Sequence, residues 1–360
     1  MKENTKGTFV FVSISDRLGG AEQVLYQIVY YFANLGYNVN VVFYKPKLEH
    51  KWNNSFKTFK NVTIYYSNSN IIKFLKVFFV FENVNYIFST HLMINALLGL
   101  SRYLTLIKTD YLVIRESTSV FGRYSNWKLM KYKLAYYFGY KSIDLIICQS
   151  IMMKQKLIEN VAYLPKRSKI VYISNPFNLK KNKSDFFFNE PFIVSAGRLI
   201  PEKGFDILIR SFKVLKSDFP NLKLIILGEG KLRNNLENLI KDLDLEGEVI
   251  LKGHVKNVYN YFKNAEVCIV SSRIEGFPNV LLQMMSQNIN VVSTLCAGGI
   301  KEMNGIITTT PDNSEGLVDA IKFCLESDLS QNREIFDREL SGRSIDQFVN
   351  KINYYLEIVK

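Results

Sequence analysis

The sequence has few of the side chains that form disulfides or bind metal ions. Its 360 residues include four cysteines and three histidines. They lie far apart along the chain, with no CxxC pair and no ligand spacing such as HExxH. A disulfide framework or a structural zinc site is therefore not expected, and a reducing compartment is the default. The residues concerned are Cys148, Cys268, Cys296, Cys324, His50, His91 and His254.

Long apolar runs are also absent. Stretches such as Ile71–Phe81 are interrupted by Lys73 and Lys76, whereas a membrane-spanning helix needs ~20 predominantly apolar residues. The first apolar stretch is only a few residues long before Asp16, which is too short for a secretory signal. We therefore predict a cytoplasmic chain that does not cross a membrane.

Acidic residues are scarce in the first half of the chain. Residues 1–180 contain 24 Lys and Arg against 9 Asp and Glu, whereas the remaining residues contain 22 against 24. A basic half is typical of proteins that bind anionic material, here a phosphorylated substrate or acidic lipid headgroups. A general abundance of lysine is the alternative. No nucleic-acid recognition motif accompanies the charge, so we expect no nucleic-acid partner.

A strand–turn–helix rhythm runs through both halves. Short apolar strands such as Thr8–Ile14 and Phe192–Ala196 are followed by segments with helical periodicity such as Ala21–Leu35. This pattern predicts an α/β protein with two doubly wound parallel-sheet domains facing across a cleft. The predicted boundaries are 1–174 for the N-terminal domain, 175–190 for the linker, 191–342 for the C-terminal domain, and 343–360 for an amphipathic helix with an undetermined docking face.

Two glycine-containing turns follow the first strand of each predicted domain. Gly19 and Gly20 can admit close approach of a ligand to the backbone, and the helix that follows offers an anion site, although a plain tight turn is the alternative. In the second domain, Gly197 precedes Arg198 and Lys203. Arginine can bind two oxygens at once and lysine supplies a mobile charge, so this loop suits a diphosphate.

A third cluster joins an acid to a helix start. Glu275 precedes Gly276, and Pro278 stands at the start of a predicted helix. The N–H that proline lacks would have no partner within the helix at that position. The amides after Gly276 can hold a phosphate, while Glu275 can accept hydrogen bonds from hydroxyls. Gln283 lies two helical turns further on, where its amide could reach the same site. An exposed loop acid is the alternative for Glu275.

These motifs resemble the retaining glycosyltransferases of family 4, also called group 1, which have the GT-B fold of two Rossmann-like domains. The resemblance extends over essentially the whole chain and is most specific in the second half. The motifs are Gly19-Gly20-Ala21-Glu22, Gly197-Arg198 with Glu202-Lys203-Gly204, Leu227-Gly228-Glu229-Gly230, and Glu275-Gly276-Phe277-Pro278-Asn279-Val280-Leu281-Leu282.

The resemblance implies roles for individual residues. Arg198 and Lys203 would bind the donor diphosphate and stabilise the charge that grows as it leaves. Glu275 would contact hydroxyls of the transferred sugar, and His91 would reach the same sugar from the N-terminal domain, although a core histidine with satisfied hydrogen bonds is the alternative for His91. Glu116 is a weaker candidate for the acceptor side. The implied nucleotide-sugar contacts are Gly19, Gly20, Gly197, Gly228, Val255 and the amides of Phe277, Asn279 and Val280.

One position departs from the family pattern. The family's second acid, eight residues after the first, binds both ribose hydroxyls, and here it is Gln283. Glutamine offers one neutral acceptor where a carboxylate offers two charged ones, so we expect weaker nucleotide binding.

The resemblance also implies the reaction. A hexosyl or N-acetylhexosaminyl group would move, with retention, from a nucleotide sugar to a glycan or polyprenyl-diphosphate-linked sugar, as in capsule or O-antigen synthesis. We expect a UDP-sugar rather than a GDP-sugar and no required metal or other cofactor. A GT-B-like nucleotide-sugar epimerase and a non-catalytic partner subunit are the alternatives.

One segment suggests contact with a membrane. Residues 126–141 read NWKLMKYKLAYYFGYK, in which four lysines are interleaved with apolar and aromatic residues. Such a helix can lie in a bilayer interface, and Ile71–Phe81 has a related composition. A core helix with a solvated face explains the pattern equally well. The first interpretation predicts peripheral binding to the inner face of the cell membrane.

Overall fold

The computed structural model describes residues 7–17, 19–47, 51–178 and 188–358. The chain divides into two units, one formed by 1–176 and 343–360 and the other by 177–342. The predicted linker, 175–190, spans this division, and its residues 179–187 lie outside the described residues.

The first domain is built on a seven-stranded parallel sheet with the order β3-β2-β1-β4-β5-β6-β7. Successive residues of its first strand point to opposite faces, as in any strand. Phe9 and Phe11 enter one apolar cluster, and Val10 and Val12 enter another. The strands are β1 Thr8–Ser13, β2 Asn38–Phe43, β3 Val62–Tyr66, β4 Val84–Ser89, β5 Tyr111–Arg115, β6 Leu145–Cys148 and β7 Lys169–Tyr172.

Seven α-helices from the described part of residues 1–176 accompany this sheet, and a further helix comes from the end of the chain. Helices cover both faces of the sheet because its central strands are apolar on both sides. The helices are α1 Gly20–Asn34, α2 Lys51–Phe56, α3 Ile71–Val77, α4 Leu92–Tyr103, α5 Val120–Arg123, α6 Asn126–Gly139 and α7 Ile151–Asn160.

The second domain repeats the plan with six parallel strands in the order β10-β9-β8-β11-β12-β13. Its strands are β8 Phe192–Ala196, β9 Lys223–Leu227, β10 Val249–Gly253, β11 Val267–Val270, β12 Val291–Thr294 and β13 Ile307–Thr309. Its helices are α8 Phe205–Leu215, α9 Arg233–Asp242, α10 Tyr259–Asn264, α11 Asn279–Met285, α12 Ser314–Glu326 and α13 Asn332–Ser341.

The last helix, α14 (Ile345–Ile358), belongs to the first domain rather than to the domain that precedes it in the chain. Its apolar residues, which the sequence left without a docking face, join the cluster that includes Phe9 and Phe11. They are Phe348, Val349, Ile352 and Leu356. Residues 359–360 lie outside the described part of the chain.

The elements that escaped the sequence prediction include β3, β13 and α13. β3 is an edge strand of the first sheet and is only partly buried, so its apolar residues form no continuous run. β13, at the edge of the second sheet, has three residues, which is too short for a periodic signal. α13 buries only three residues, and its remaining positions are largely charged. Each therefore gives a weak hydrophobic pattern.

No helix within the described ranges is long and apolar enough to cross a membrane. The four cysteines are buried free thiols. Burial raises the pKa of the Cys296 thiol to about 12, which leaves it protonated and unreactive at neutral pH.

Candidate functional site

In each domain several of the predicted site residues follow the two strands at which the strand order reverses. These strands are β1 and β4 in the first sheet and β8 and β11 in the second. Loops at the carboxyl ends of such strand pairs diverge and leave room for a ligand, which makes the reversal point the usual binding position in doubly wound sheets. The topology thus places a candidate site in each domain.

In the second domain an ion pair joins the two loops. Lys203 ends a 3₁₀ turn after β8, and its Nζ pairs with Oε1 of Glu275, which follows β11. The Lys203 and Glu275 side chains are only 15% and 19% exposed, so bulk water screens the pair weakly. The Ser272 hydroxyl donates to the same carboxylate oxygen at 3.0 Å. Two charges predicted separately from the sequence are therefore in direct contact.

Two glycines permit this close packing. The Lys203 side chain lies over Gly197, where an added Cβ would be 3.1 Å from Cε of the lysine. Gly228 has a φ of 139°, and a Cβ there would be 1.9 Å from the Gly197 carbonyl oxygen. A side chain at Gly228 would displace the backbone of the loop that carries the lysine, and one at Gly197 would press on the lysine side chain itself.

Arg198 is on the same loop but is exposed, and within the described ranges it forms no ion pair. It directly follows Gly197, over which Lys203 lies. Its charge is thus accessible to a ligand without the loss of a protein partner. The two cations differ in this respect, because Lys203 already has Glu275 as a partner, with which another anion would compete.

The segment after Glu275 leads into α11, which begins at Asn279 with Pro278 as its N-cap residue. Phe277 is buried in the core of this domain, and Val280 packs against the same cluster. The amides of Phe277, Asn279 and Val280 thus lie at the start of a helix, as the sequence predicted, although the helix has only seven residues.

Gln283 has a partner that the sequence did not suggest. Its side chain hydrogen-bonds to the Tyr259 hydroxyl at the start of α10, and burial raises the pKa of that tyrosine. Val255 precedes α10 and packs against the same core. Val255 and Gln283 therefore lie on neighbouring elements, since α10 contacts α11.

In the first domain, a carboxylate and an imidazole meet at the reversal point. Glu22, in the first turn of α1, lies with Oε1 3.1 Å from Nε2 of His91, at the N-cap position of α4. The other ring nitrogen is 3.3 Å from the Thr90 hydroxyl oxygen. Gly19 leaves room for this carboxylate, because a Cβ there would be 2.7 Å from Glu22 Oε2. Gly20 is the first residue of α1.

A buried arginine and glutamate follow β5. Nη2 of Arg115 donates to the Asn175 side chain, whereas its Nε and Nη1 are buried without a hydrogen-bond partner in the structure. Burial lowers the pKa of Arg115 to about 9, although Glu22 and Glu116 act in the opposite direction.

Glu116 does not face the surface. Tyr136 of α6 and Tyr140, which follows the end of that helix, donate to its carboxylate, and the Gln149 side chain donates to its carbonyl oxygen at 2.7 Å. Burial raises the pKa of Glu116, and the tyrosine hydrogen bonds act against that shift. The weaker acceptor-side prediction for Glu116 is therefore not supported, since the residue is a buried anchor for α6.

The helix α6 is buried only at Tyr136 and Gly139. The exposed fraction is 79% for Trp127 and more than half for each of four further apolar side chains. By contrast, Phe74 and Phe78 of the related segment 71–81 belong to the core. The exposed apolar residues of α6 besides Trp127 are Met130, Leu134, Tyr137 and Phe138.

Metal-binding chemistry is not apparent in the described ranges, where no group of three or more His, Cys, Asp or Glu side chains could hold an ion.

Comparison with known proteins gives a consistent result. Residues 177–339 match the family Glycosyl transferases group 1. An uncharacterised glycosyltransferase of Methanocaldococcus jannaschii is 37% identical over 183 residues, 47% of this chain and 44% of the relative. A longer alignment is found with a protein of Campylobacter jejuni, which is 35% identical over 227 residues. That protein is N-acetylgalactosamine-N,N'-diacetylbacillosaminyl-diphospho-undecaprenol 4-alpha-N-acetylgalactosaminyltransferase. That alignment covers 60% of this chain and 61% of the relative. The chain therefore matches less than two thirds of the length of either relative.

Among solved structures, HepE from Anabaena in complex with UDP and glucose has a TM-score of 0.80 at 18% sequence identity. The superposition covers 98% of this chain and 99% of that one. At this identity the likeness concerns the fold alone. The fold is GT-B, with two Rossmann-like parallel-sheet domains.

Proposed function

We propose, from the membership of residues 177–339 in the glycosyl transferases group 1 family, that the whole chain is a retaining glycosyltransferase. It moves a hexosyl or N-acetylhexosaminyl group from a nucleotide sugar, a UDP-sugar rather than a GDP-sugar, to a glycan or polyprenyl-diphosphate-linked sugar. The observation that carries the proposal is the contact of Lys203 with Glu275 at the strand reversal point of that domain.

The ion pair is suited to exchange partners when a donor binds. A diphosphate oxygen replaces the Glu275 carboxylate at Nζ of Lys203, and the freed carboxylate accepts hydrogen bonds from hydroxyls of the sugar. Arg198 adds a second, exposed cation. As the bond from the sugar to the diphosphate breaks, negative charge grows on the leaving oxygen, and both cations stabilise it where it forms.

Retention follows from attack on the same face of the sugar as the leaving group. The leaving phosphate oxygen takes the proton of the acceptor hydroxyl, so the protein mainly orients the reactants and stabilises charge. His91 is the candidate contact from the first domain, held by Glu22 and Thr90.

The test is a transfer assay with purified protein, radiolabelled UDP- and GDP-sugars and a polyprenyl-diphosphate-linked saccharide. We expect acceptor-dependent release of UDP and an α- or β-linkage that matches the donor anomer by NMR. Epimerised sugar released without acceptor would instead identify an epimerase. The absence of both transfer and donor hydrolysis would identify a non-catalytic subunit and refute the proposal.

The glutamine at position 283 supplies a first prediction. We expect Gln283→Glu to lower the donor KM by about threefold to tenfold, because a carboxylate gives ribose hydroxyls stronger, charge-assisted acceptors. Steady-state kinetics with varied donor concentration measures the change. Gln287→Glu, four residues further along, is the matched control and should leave the KM unaltered. An unchanged KM in Gln283→Glu would show that this side chain does not face the ribose.

The acceptor proposal includes contact with a membrane surface. Support comes from the exposed apolar face of α6, which is interleaved with Lys128, Lys131 and Lys133, in a domain rich in cations. Each cation near an anionic leaflet contributes about 1 kcal/mol, and exposed aromatic rings suit the headgroup region. The Campylobacter jejuni relative is named for an undecaprenol-linked acceptor.

Vesicle sedimentation tests this second prediction. At low salt we expect the protein to pellet with phosphatidylglycerol vesicles but not with phosphatidylcholine vesicles, and high salt should release it. Changing Trp127 to alanine together with Lys128, Lys131 and Lys133 to glutamine should abolish binding, whereas Lys213→Gln in the other domain should not. Equal behaviour with both lipids would remove the membrane proposal and leave the transferase proposal intact.

A further inference from the structure

A single arginine ties together the two loops of the second-domain site. The backbone N–H of Arg273 donates to the Glu202 carbonyl oxygen at 2.8 Å, and its Nη1 donates to the Pro201 carbonyl oxygen at 2.6 Å. The neighbouring Ser271 hydroxyl donates to the Lys203 carbonyl oxygen at 2.9 Å. The turn that carries Lys203 is therefore bound, at three consecutive residues, to the loop that carries Glu275.

The rest of the guanidinium group is fixed by two aspartates. Nη1 and Nη2 of Arg273 donate to the two carboxylate oxygens of Asp206 at 2.9 and 2.7 Å. Its Nε donates to Asp312 at 2.6 Å. Only a planar group with several fixed donors can make these contacts together, so lysine would lose most of them. The Arg273 hydrogen bonds lower the pKa of Asp206 despite its partial burial.

This arrangement does more than an isolated surface ion pair. Such pairs contribute about 0–1 kcal/mol to stability and set no loop geometry. The Arg273 side chain instead donates to the Pro201 carbonyl oxygen, two residues before Lys203. Arg273 itself lies two residues before Glu275, the other member of the ion pair. Loss of this side chain would remove the hydrogen bond to Pro201 and leave those to the Glu202 and Lys203 carbonyl oxygens between the two loops, which would then be held less firmly.

We propose that Arg273 is a positioning residue that holds Lys203 and Glu275 in the relative placement that sugar transfer requires. The inference rests on the proposed function. A displacement of about 1 Å in a positioned group can cost up to about 100-fold in rate, and the cost is largest where charge develops. Arg273 itself contacts no substrate in this scheme, because each of its three guanidinium nitrogens already donates to Asp206, Asp312 or Pro201.

The experiment compares Arg273→Ala and Arg273→Lys with the wild type and with Arg338→Ala, which removes another ion-paired arginine of the same domain. For each variant we measure kcat per folded molecule, the KM for the nucleotide-sugar donor and the melting temperature. We expect kcat to fall by about tenfold or more in Arg273→Ala, with a smaller rise in KM, because misplaced charge costs most in the transition state. Arg273→Lys should recover part of kcat, and Arg338→Ala should match the wild type.

Two results would overturn the inference: an unchanged kcat in folded Arg273→Ala, or a crystal structure of that variant with the Lys203 and Glu275 contact intact. Should Arg273→Ala fail to fold, Arg273→Lys takes its place, because lysine keeps the charge but cannot make the contacts to Pro201, Asp206 and Asp312 together; a kcat equal to that of the wild type there would also overturn the inference. If the wild type transfers no sugar, the proposed function fails and this inference falls with it. An active wild type with equally active variants refutes the inference alone.

Discussion

Lys203→Ala is expected to lower kcat by about 100- to 1,000-fold, the usual effect of removing one preorganised group that stabilises transition-state charge. The reason is that Nζ lies in a site only partly open to solvent, where a single cation interacts strongly with a departing diphosphate. The donor KM should rise less than kcat falls, because charge on the leaving oxygen is greatest in the transition state. Single-turnover and steady-state kinetics with a saturating acceptor measure both quantities.

Two further variants make this result interpretable. Lys213→Ala removes an exposed lysine from α8 of the same domain and should retain full activity. Arg198→Ala should also reduce kcat. It should leave the melting temperature unchanged, since Arg198 has no ion pair in the described part of the chain. Lys203→Ala leaves a partly buried Glu275 without its cation and should also lower the melting temperature slightly. Retained turnover in either cation variant would refute that residue's role.

The architecture was predictable because buried parallel strands are apolar on both sides. Phe192–Ala196 and Val267–Val270 read as near-continuous apolar runs, and both are strands at those positions. Their loops carry glycines and charges because a ligand site needs close backbone approach and polar groups. The edge strand β3 was missed because its partial burial breaks the run.

The pairing of side chains within the site could not be read in the same way. Lys203 and Glu275 are separated by 72 residues, and only the neighbouring positions of β8 and β11 in the sheet bring them together. The contact of Glu22 with His91 likewise depends on β1 lying beside β4. Glu22 is part of the Gly19-Gly20-Ala21-Glu22 motif and lies in the first turn of a helix, so the sequence did indicate that it belongs to a site. Arg273 gave no sequence signal, because its partners lie on three separate segments.

Glu275→Gln is expected to reduce kcat/KM by about 30- to 100-fold, through loss of about 2–3 kcal/mol from hydrogen bonds between a charged acceptor and sugar hydroxyls. Glutamine has nearly the same shape, so the Ser272 contact and the backbone hydrogen bond from Glu275 N to the Cys296 carbonyl can persist. The change therefore tests charge with little change in packing. Glu248→Gln is the matched control, because Glu248 pairs with Lys216 and Lys223 away from this site.

The same variant separates the two roles proposed for the carboxylate. In the wild type, Glu275 competes with the diphosphate for Nζ of Lys203; in Glu275→Gln that competition is lost, so UDP should bind more tightly and inhibit at lower concentration. Calorimetric titration with UDP measures this directly. Slower transfer with tighter UDP binding supports both roles, since the carboxylate then holds the sugar and helps to release the product. Tighter binding with undiminished transfer would mean that Glu275 only balances the charge of Lys203, and the sugar hydroxyls would need another acceptor in the protein.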